Sequence, residues 1–173
     1  FKSKLITIHA STLKKSFKKK ITNKYLLNEP NLENVSFVYK LSTILKIKKS
    51  IILKAINTFK GLPHRNETFY YKHGIKFIND SKATSFDAAQ HSLKNNKNIF
   101  WIVGGLPKLN DKFKLQHVKK NIIKSYIVGT NPNFFKRQIR GVLKYKHSHT
   151  IENALQDIIK DLFFLKKKQA TIL

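Results

Sequence analysis

Ile99-Phe100-Trp101-Ile102-Val103-Gly104-Gly105 is the stretch on which the fold turns. An unbroken apolar run ending in paired glycines suits a strand covered on both faces, as in a parallel sheet flanked by helices. Ile122 to Val128, ending in Gly129, is a second such run. Upstream, Thr68-Phe69-Tyr70-Tyr71 and Ile75-Lys76-Phe77-Ile78 are β-rich runs around His73-Gly74, which predicts a hairpin. Helices are expected over 84–95, with Phe86, Ala89 and Leu93 on one face, and over 113–120 and 131–139. A short strand is expected over 142–145. Thr150 caps a helix whose stripe is Ile151, Ala154, Leu155, Ile158, Ile159 and Leu162, with Glu152 favourable in its first turn. Ala170 begins a last strand. Strand and helix alternate from residue 75 onward, which predicts an α/β domain with a mainly parallel sheet.

Residues before Gly61 read differently. Lys4–Ala10 and Asn23–Asn28 are expected to be strands, joined by a lysine-rich hairpin or loop over 11–20. Leu32, Val35, Val38, Leu41 and Leu45 recur at helical spacing, and Ile52, Ala55, Ile56 and Phe59 repeat the pattern with Ser50 as cap. Gly61 stops that second helix and Pro63 prevents its resumption, which puts a domain boundary between 1–60 and 61–173.

The chain has 173 residues, 41% hydrophobic, enough for a real core. It lacks cysteine, which excludes disulfides, thiolate zinc sites and cysteine nucleophiles. No apolar run reaches the ~20 residues of a membrane span. It has no methionine and starts at Phe1, which is the expectation for a fragment or a processed chain. Formal net charge is +26, yet only three of the 35 basic residues, Arg65, Arg137 and Arg140, are arginine. A polyanion-binding protein would favour the arginine fork. A small basic nucleic-acid-binding protein is therefore the alternative reading rather than the first. Neither G-x-x-x-x-G-K-[ST] nor G-x-G-x-x-G occurs, and His147 and His149, two apart on an expected loop, make a weak metal signal.

In parallel sheets ligands sit beyond the carboxyl ends of the strands. Asn79-Asp80-Ser81-Lys82-Ala83-Thr84, Gly104-Gly105-Leu106-Pro107-Lys108 and Gly129-Thr130-Asn131 all fall there. The first offers hydroxyls, amides and a lysine at a helix start, which suits an anion or a plain helix cap. The paired glycines permit a close ligand approach or a tight turn, with Lys108 beside them. Arg65 follows the rigid Gly61-Leu62-Pro63 linker and, with Asp80, is expected at one junction, the two approaching one another.

Gly61-Leu62-Pro63-His64-Arg65-Asn66-Glu67, then Phe77-Ile78-Asn79-Asp80-Ser81-Lys82-Ala83-Thr84, then Trp101-Ile102-Val103-Gly104-Gly105 and Lys108, closely resemble the D-glutamate-adding branch of the Mur ligase family. Asn31-Leu32-Glu33-Asn34 resembles the family's H-N-x-x-N helix start, with Pro30 in place of the His. The resemblance implies a Rossmann-like C-terminal Mur ligase domain over 61–173, preceded over 1–60 by the helical and strand tail of the central ATP-binding domain. It implies an ATP-dependent ligase joining D-glutamate to UDP-N-acetylmuramoyl-L-alanine through an acyl phosphate, in bacterial cytoplasm, as a monomer with no membrane span and no specific nucleic acid partner. By resemblance, Asn34 meets adenine with Asn31 near it, Arg65 binds the ATP phosphates and Asp80 the ribose. Thr84 and Lys108 hold the D-glutamate carboxylate, with Lys82 near the same site. The phosphate loop and the ligands of Mg2+ belong to parts of such ligases that this sequence does not contain, so no catalytic or metal residue is assigned, and this chain alone is expected to be inactive.

Overall fold

The computed structural model describes residues 7–9, 11, 13–27, 31–108, 110–114 and 116–173. Pro30 and most of the strand expected over 4–10 lie outside these residues, and Thr7 to His9 form no strand. The chain divides into two compact units, Phe1–Gly61 and Leu62–Leu173.

The N-terminal unit is helical. It contains α1 (Lys15–Lys18), a 3-10 turn (Lys24–Leu27), α2 (Asn31–Ile44) and α3 (Lys49–Thr58). Its core joins Leu13, Phe17, Ile21, Leu26, Leu32, Val35, Ile52 and Ile56. Two expectations are corrected here. The lysine-rich segment holds a helical turn because Phe17 is an apolar anchor, buried with its ring 4.3 Å from that of Tyr39. The second expected strand is the 3-10 turn, because Asn23 leaves no free ladder: its amide donates to the carbonyls of Ile56 (3.0 Å) and Phe59 (2.7 Å) at the end of α3. Lys48, not Ser50, occupies the cap position of α3. The α2 stripe is buried at Leu32 and Val35 only; Val38, Leu41 and Leu45 are exposed.

The C-terminal unit is the expected α/β layer structure. Its six strands are β1 (Glu67–Lys72), β2 (Ile75–Asn79), β3 (Ile99–Gly104), β4 (Ile122–Val128), β5 (Tyr145–His149) and β6 (Ala170–Ile172). Their order is β1-β2-β6-β3-β4-β5, with β1 antiparallel and every other pairing parallel. The hairpin turns at His73-Gly74, where a Cβ on Gly74 would stand 2.2 Å from the Lys168 carbonyl oxygen, so only glycine fits. Both central strands earn their apolar runs. Helices α4 (Phe86–Asn95) and α5 (Pro132–Ile139) cover one face with Phe86, Leu93, Phe135 and Ile139 against Ile99, Trp101 and Ile127. Helix α6 (Ile151–Phe164) covers the other with Ala154 and Ile158 against Phe100, Tyr126 and Ile172.

Three boundaries and one burial pattern differ from the sequence reading. Ser85 rather than Thr84 marks the start of α4, its hydroxyl accepting from the Ala88 N–H at 3.2 Å. The 113–120 segment is a 3-10 turn over Gln116–Asn121, anchored by buried Val118. The strand expected over 142–145 is β5, three residues later, because Leu143 turns into the core below Ile139 before pairing begins. Ile151 and Ile159 are exposed, since α6 buries only a narrow stripe.

Candidate functional site

The carboxyl ends of β2, β3 and β4 open onto three loops, and the chain between Leu62 and Asn66 is stitched to the first of them. The Lys82 N–H donates to the His64 carbonyl (3.0 Å), and the Asn79 amide meets His64 Nδ1 at 2.9 Å. Glu67 accepts from the His64 N–H at 2.8 Å. Asp80 sits at the centre: one carboxylate oxygen accepts from the Asn66 N–H (2.8 Å), the other from the Ser92 hydroxyl of α4 (2.5 Å). His64 and Asn66 both have positive φ, 62° and 47°, a conformation unfavourable for non-glycine residues that these bonds hold in place.

The expected approach of Arg65 and Asp80 therefore takes another form. Asp80 grips the backbone of the residue after Arg65, and the two ion pairs among the described residues, Lys124–Asp161 and Lys146–Asp157, involve neither side chain. Arg65 is exposed, and no carboxylate of the described residues pairs with its guanidinium. Asp80 positions the arginine loop, each of its oxygens accepting one hydrogen bond from this chain.

Asp111 is the residue that the sequence reading missed. Its carboxylate oxygens lie 3.1 and 3.3 Å from the Phe86 N–H, so it caps α4 from the loop after β3. A carboxylate at a helix N-terminus is favourable, and it fills part of the anion-binding capacity expected there for a ligand. The signal was available: Asp111, like Asp80, is one of only nine acids, and it follows a strand end. Gln138 of α5 completes the tie, donating to the Asp111 carbonyl (3.2 Å) and accepting from the Phe113 N–H (3.1 Å).

Through Asp111 the loop bearing Lys108 touches the loop bearing Lys82 and Thr84. All three residues are exposed, and among the described residues neither lysine forms an ion pair. Two cations and a hydroxyl on adjoining loops can receive a carboxylate or phosphate. Gly104 has a packing reason rather than a ligand reason. A Cβ there would stand 2.1 Å from the Val128 carbonyl oxygen of β4. Gly105, at φ 105° with open space around it, is the glycine that leaves the strand end accessible.

Asn31 and Asn34 belong to the N-terminal unit. The Asn31 amide donates to the Tyr25 carbonyl at 2.9 Å, while Asn34 is exposed on the first turn of α2. His147 and His149 lie on β5, not on a loop, with ring centroids 3.8 Å apart. Desolvation, the neighbouring His149 and the Lys136 charge lower the His147 pKa. Among the described residues no group of three or more histidine, cysteine or acidic side chains is placed to hold a metal ion, and no helix is long and apolar enough to cross a membrane.

No protein-family model matches the chain. Curated relatives do. The UDP-N-acetylmuramoylalanine–D-glutamate ligase of Rickettsia felis is 31% identical over 139 residues, covering 80% of this chain and 31% of that protein. The protein of the same name from Rickettsia bellii is 30% identical over 155 residues, covering 90% and 34%. That from Cereibacter sphaeroides is 35% identical over 125 residues, covering 72% and 27%. The chain thus spans about a third of the length of the curated relatives it matches. Among solved structures, MurF from Acinetobacter baumannii superposes with a TM-score of 0.65 at 20% identity, over 84% of this chain and 34% of that one, a likeness of fold.

Proposed function

We propose, on the premise that this chain is homologous over most of its length to the UDP-N-acetylmuramoylalanine–D-glutamate ligases, that it is the amino-acid-receiving part of such a ligase. The whole enzyme uses ATP to phosphorylate the carboxylate of UDP-N-acetylmuramoyl-L-alanine. The D-glutamate amine attacks the acyl phosphate, a tetrahedral intermediate forms, and it collapses to amide and inorganic phosphate. One observation carries the reading: Lys82, Thr84 and Lys108 stand exposed on two adjoining loops at the carboxyl ends of a parallel sheet, and among the described residues no carboxylate pairs with either lysine. D-Glutamate is dianionic apart from its amine, and such donors match its carboxylates. Held there, the amine is positioned for attack, which is most of what such a site must supply.

The exposed, unpaired guanidinium of Arg65 fits a triphosphate, and Asn34 fits a base edge. Asp80 can meet a ribose hydroxyl, since each oxygen accepts only one hydrogen bond within the chain and keeps a further lone pair, and through the Asn66 N–H it also holds the Arg65 loop. The described residues form no magnesium site of their own, and no step is routed through that ion.

In the full-length ligase, Lys108→Ala should raise the KM for D-glutamate about tenfold or more while that for ATP moves little, as expected when one charge-assisted contact to a single substrate is lost. Equal effects on both substrates would remove Lys108 from the amino-acid site. The isolated chain, lacking a phosphate loop, should not turn over ATP with D-glutamate.

A further inference from the structure

Helix α6 ends at Phe163-Phe164 and is followed by Leu165-Lys166-Lys167-Lys168. Phe163 is 89% exposed and Phe164 83%. They are not on a frayed end. The Leu165 N–H donates to the Asp161 carbonyl (2.9 Å), that of Lys166 to Phe163 (3.2 Å) and that of Lys167 to Leu162 (3.2 Å). The lysines that follow run onto the rim where the parallel strands begin. There the Asn98 amide donates to the Gln169 carbonyl (3.2 Å) and the Ala170 N–H to the Gly74 carbonyl (3.2 Å). These bonds draw the turns bearing Lys72 and Lys97 beside the lysine triplet, and all five lysines are exposed. Lys119, Lys120 and Lys144 precede β4 and β5 on the same rim.

The acids of this unit lie elsewhere. Asp80 and Asp111 follow the carboxyl ends of the parallel strands, Glu67 opens antiparallel β1 opposite Asn79 on that side, and Asp87 and Glu152 are in the first turns of α4 and α6 there. Asp157 and Asp161 are paired with Lys146 and Lys124. The amino-terminal rim is therefore rich in exposed lysines, with the one acid near it, Asp161, already paired to Lys124, around a projecting pair of phenylalanines.

We propose that this rim docks on an anionic lipid surface, with Phe163 and Phe164 entering the interfacial layer and the lysines meeting the phosphates. Charge complementarity selects the partner class, and the shape selects within it. Adjacent residues on a helix diverge, so the two rings make a convex tip rather than the flat track on which single-stranded bases stack. Aromatic insertion and a polybasic cluster are the two signals that together give stable peripheral attachment where either alone is marginal. The rim is opposite the loops of Lys82, Thr84 and Lys108, so docking leaves them open.

The test is co-sedimentation of the full chain with vesicles of phosphatidylcholine containing roughly one-third phosphatidylglycerol, at about 0.1 M salt, where charges are screened over about 10 Å. Binding to these and not to pure phosphatidylcholine vesicles is expected. Lys167→Ser with Lys168→Ser should weaken binding about 25-fold, at roughly fivefold per lysine. Phe163→Ser with Phe164→Ser should weaken it about tenfold or more, while Phe163→Leu with Phe164→Leu retains most of it. Leu106→Ser, exposed on the opposite rim, should change nothing. Equal binding to neutral vesicles, or indifference to the Phe→Ser pair, would overturn the proposal. So would displacement from vesicles by a single-stranded oligonucleotide whose own binding needs Phe163 and Phe164, which would make the rim a nucleic-acid surface.

Discussion

Replacing Asp80 by alanine separates a residue that touches nucleotide from one that holds the loop which does. The side chain takes two hydrogen bonds, from the Asn66 N–H at 2.8 Å and the Ser92 hydroxyl at 2.5 Å. A hydrogen bond to a charged acceptor contributes about 1.5–3 kcal/mol, and an orphaned buried donor costs about 1–3 kcal/mol. Ser92, fully buried, has a fallback, since its hydroxyl lies 3.2 Å from the Asn66 side-chain oxygen. The Asn66 N–H has none, and it sits in a left-handed conformation that the carboxylate helps to fix. The lower end of the combined range applies, about 2–3 kcal/mol. For a unit of this size that lowers Tm by about 8–12 °C, measured by circular dichroism on the intact chain. Asp80→Asn keeps an acceptor for Asn66 and can accept or donate at Ser92, so it should lose about 1 kcal/mol, the difference between charged and neutral bonds. Arg65→Ala removes an exposed side chain and should stay within about 0.5 kcal/mol. If Asp80→Ala melts within a degree or two of the parent while the full-length ligase loses ATP affinity, the positioning role is wrong and a direct contact with nucleotide is right.

Gly104→Ala places a methyl 2.1 Å from the Val128 carbonyl oxygen, so β3 and β4 must part; a loss of about 3 kcal/mol, seen as a Tm drop of 10 °C or so, is expected, and a neutral result would refute the close approach. Acid sensitivity should come from α6. Asp161 is lowered on balance: burial pushes it up, but its bonds from Lys124 and Tyr126 outweigh that; Asp157 is lowered first by the Lys146 bond. The unfolded chain then takes up protons before the folded one, so this stability is full above the ordinary carboxylate range and lost as pH falls through and below it. Asp161→Asn should flatten the Tm-against-pH curve below about pH 4; an unchanged slope would refute the pairing. His147 follows the same sign in a higher window. Its lowered pKa makes protonation costly to the fold, so stability falls as pH drops below the ordinary value of 6.5, and His147→Gln should remove that slope.

How much was legible depended on whether a residue's neighbours are local in sequence. β3 and β4 were readable because both faces are buried, so the apolar run alone reports them. The hairpin at His73-Gly74 was readable because its turn and pairing are contiguous. The N-terminal strand over 23–28 was misread because Asn23 answers to carbonyls at Ile56 and Phe59, more than thirty residues away. The helical spacing of α2 was right for a helix and wrong for its burial. Period says which residues share a face, and only packing says which part of that face is covered.

The same distinction governs the site. Sequence order put a carboxylate, two lysines, an arginine and a threonine at the ends of strands, and the parallel sheet brings those ends to one side, as the alternation from residue 75 required. What order could not supply was the allocation of hydrogen-bonding capacity within that side. Asp80 and Asp111 are chemically alike and both follow strands, yet each is engaged within this chain: one fixes the Asn66 backbone and Ser92, the other caps Phe86. With those acids so engaged, Lys82, Lys108 and Arg65 form no ion pair among the described residues. In a chain of net charge +26 an exposed lysine says little by itself. The informative fact is that carboxylates stand close by and are committed to backbone and hydroxyl donors instead, which keeps the cations available for a ligand's charge.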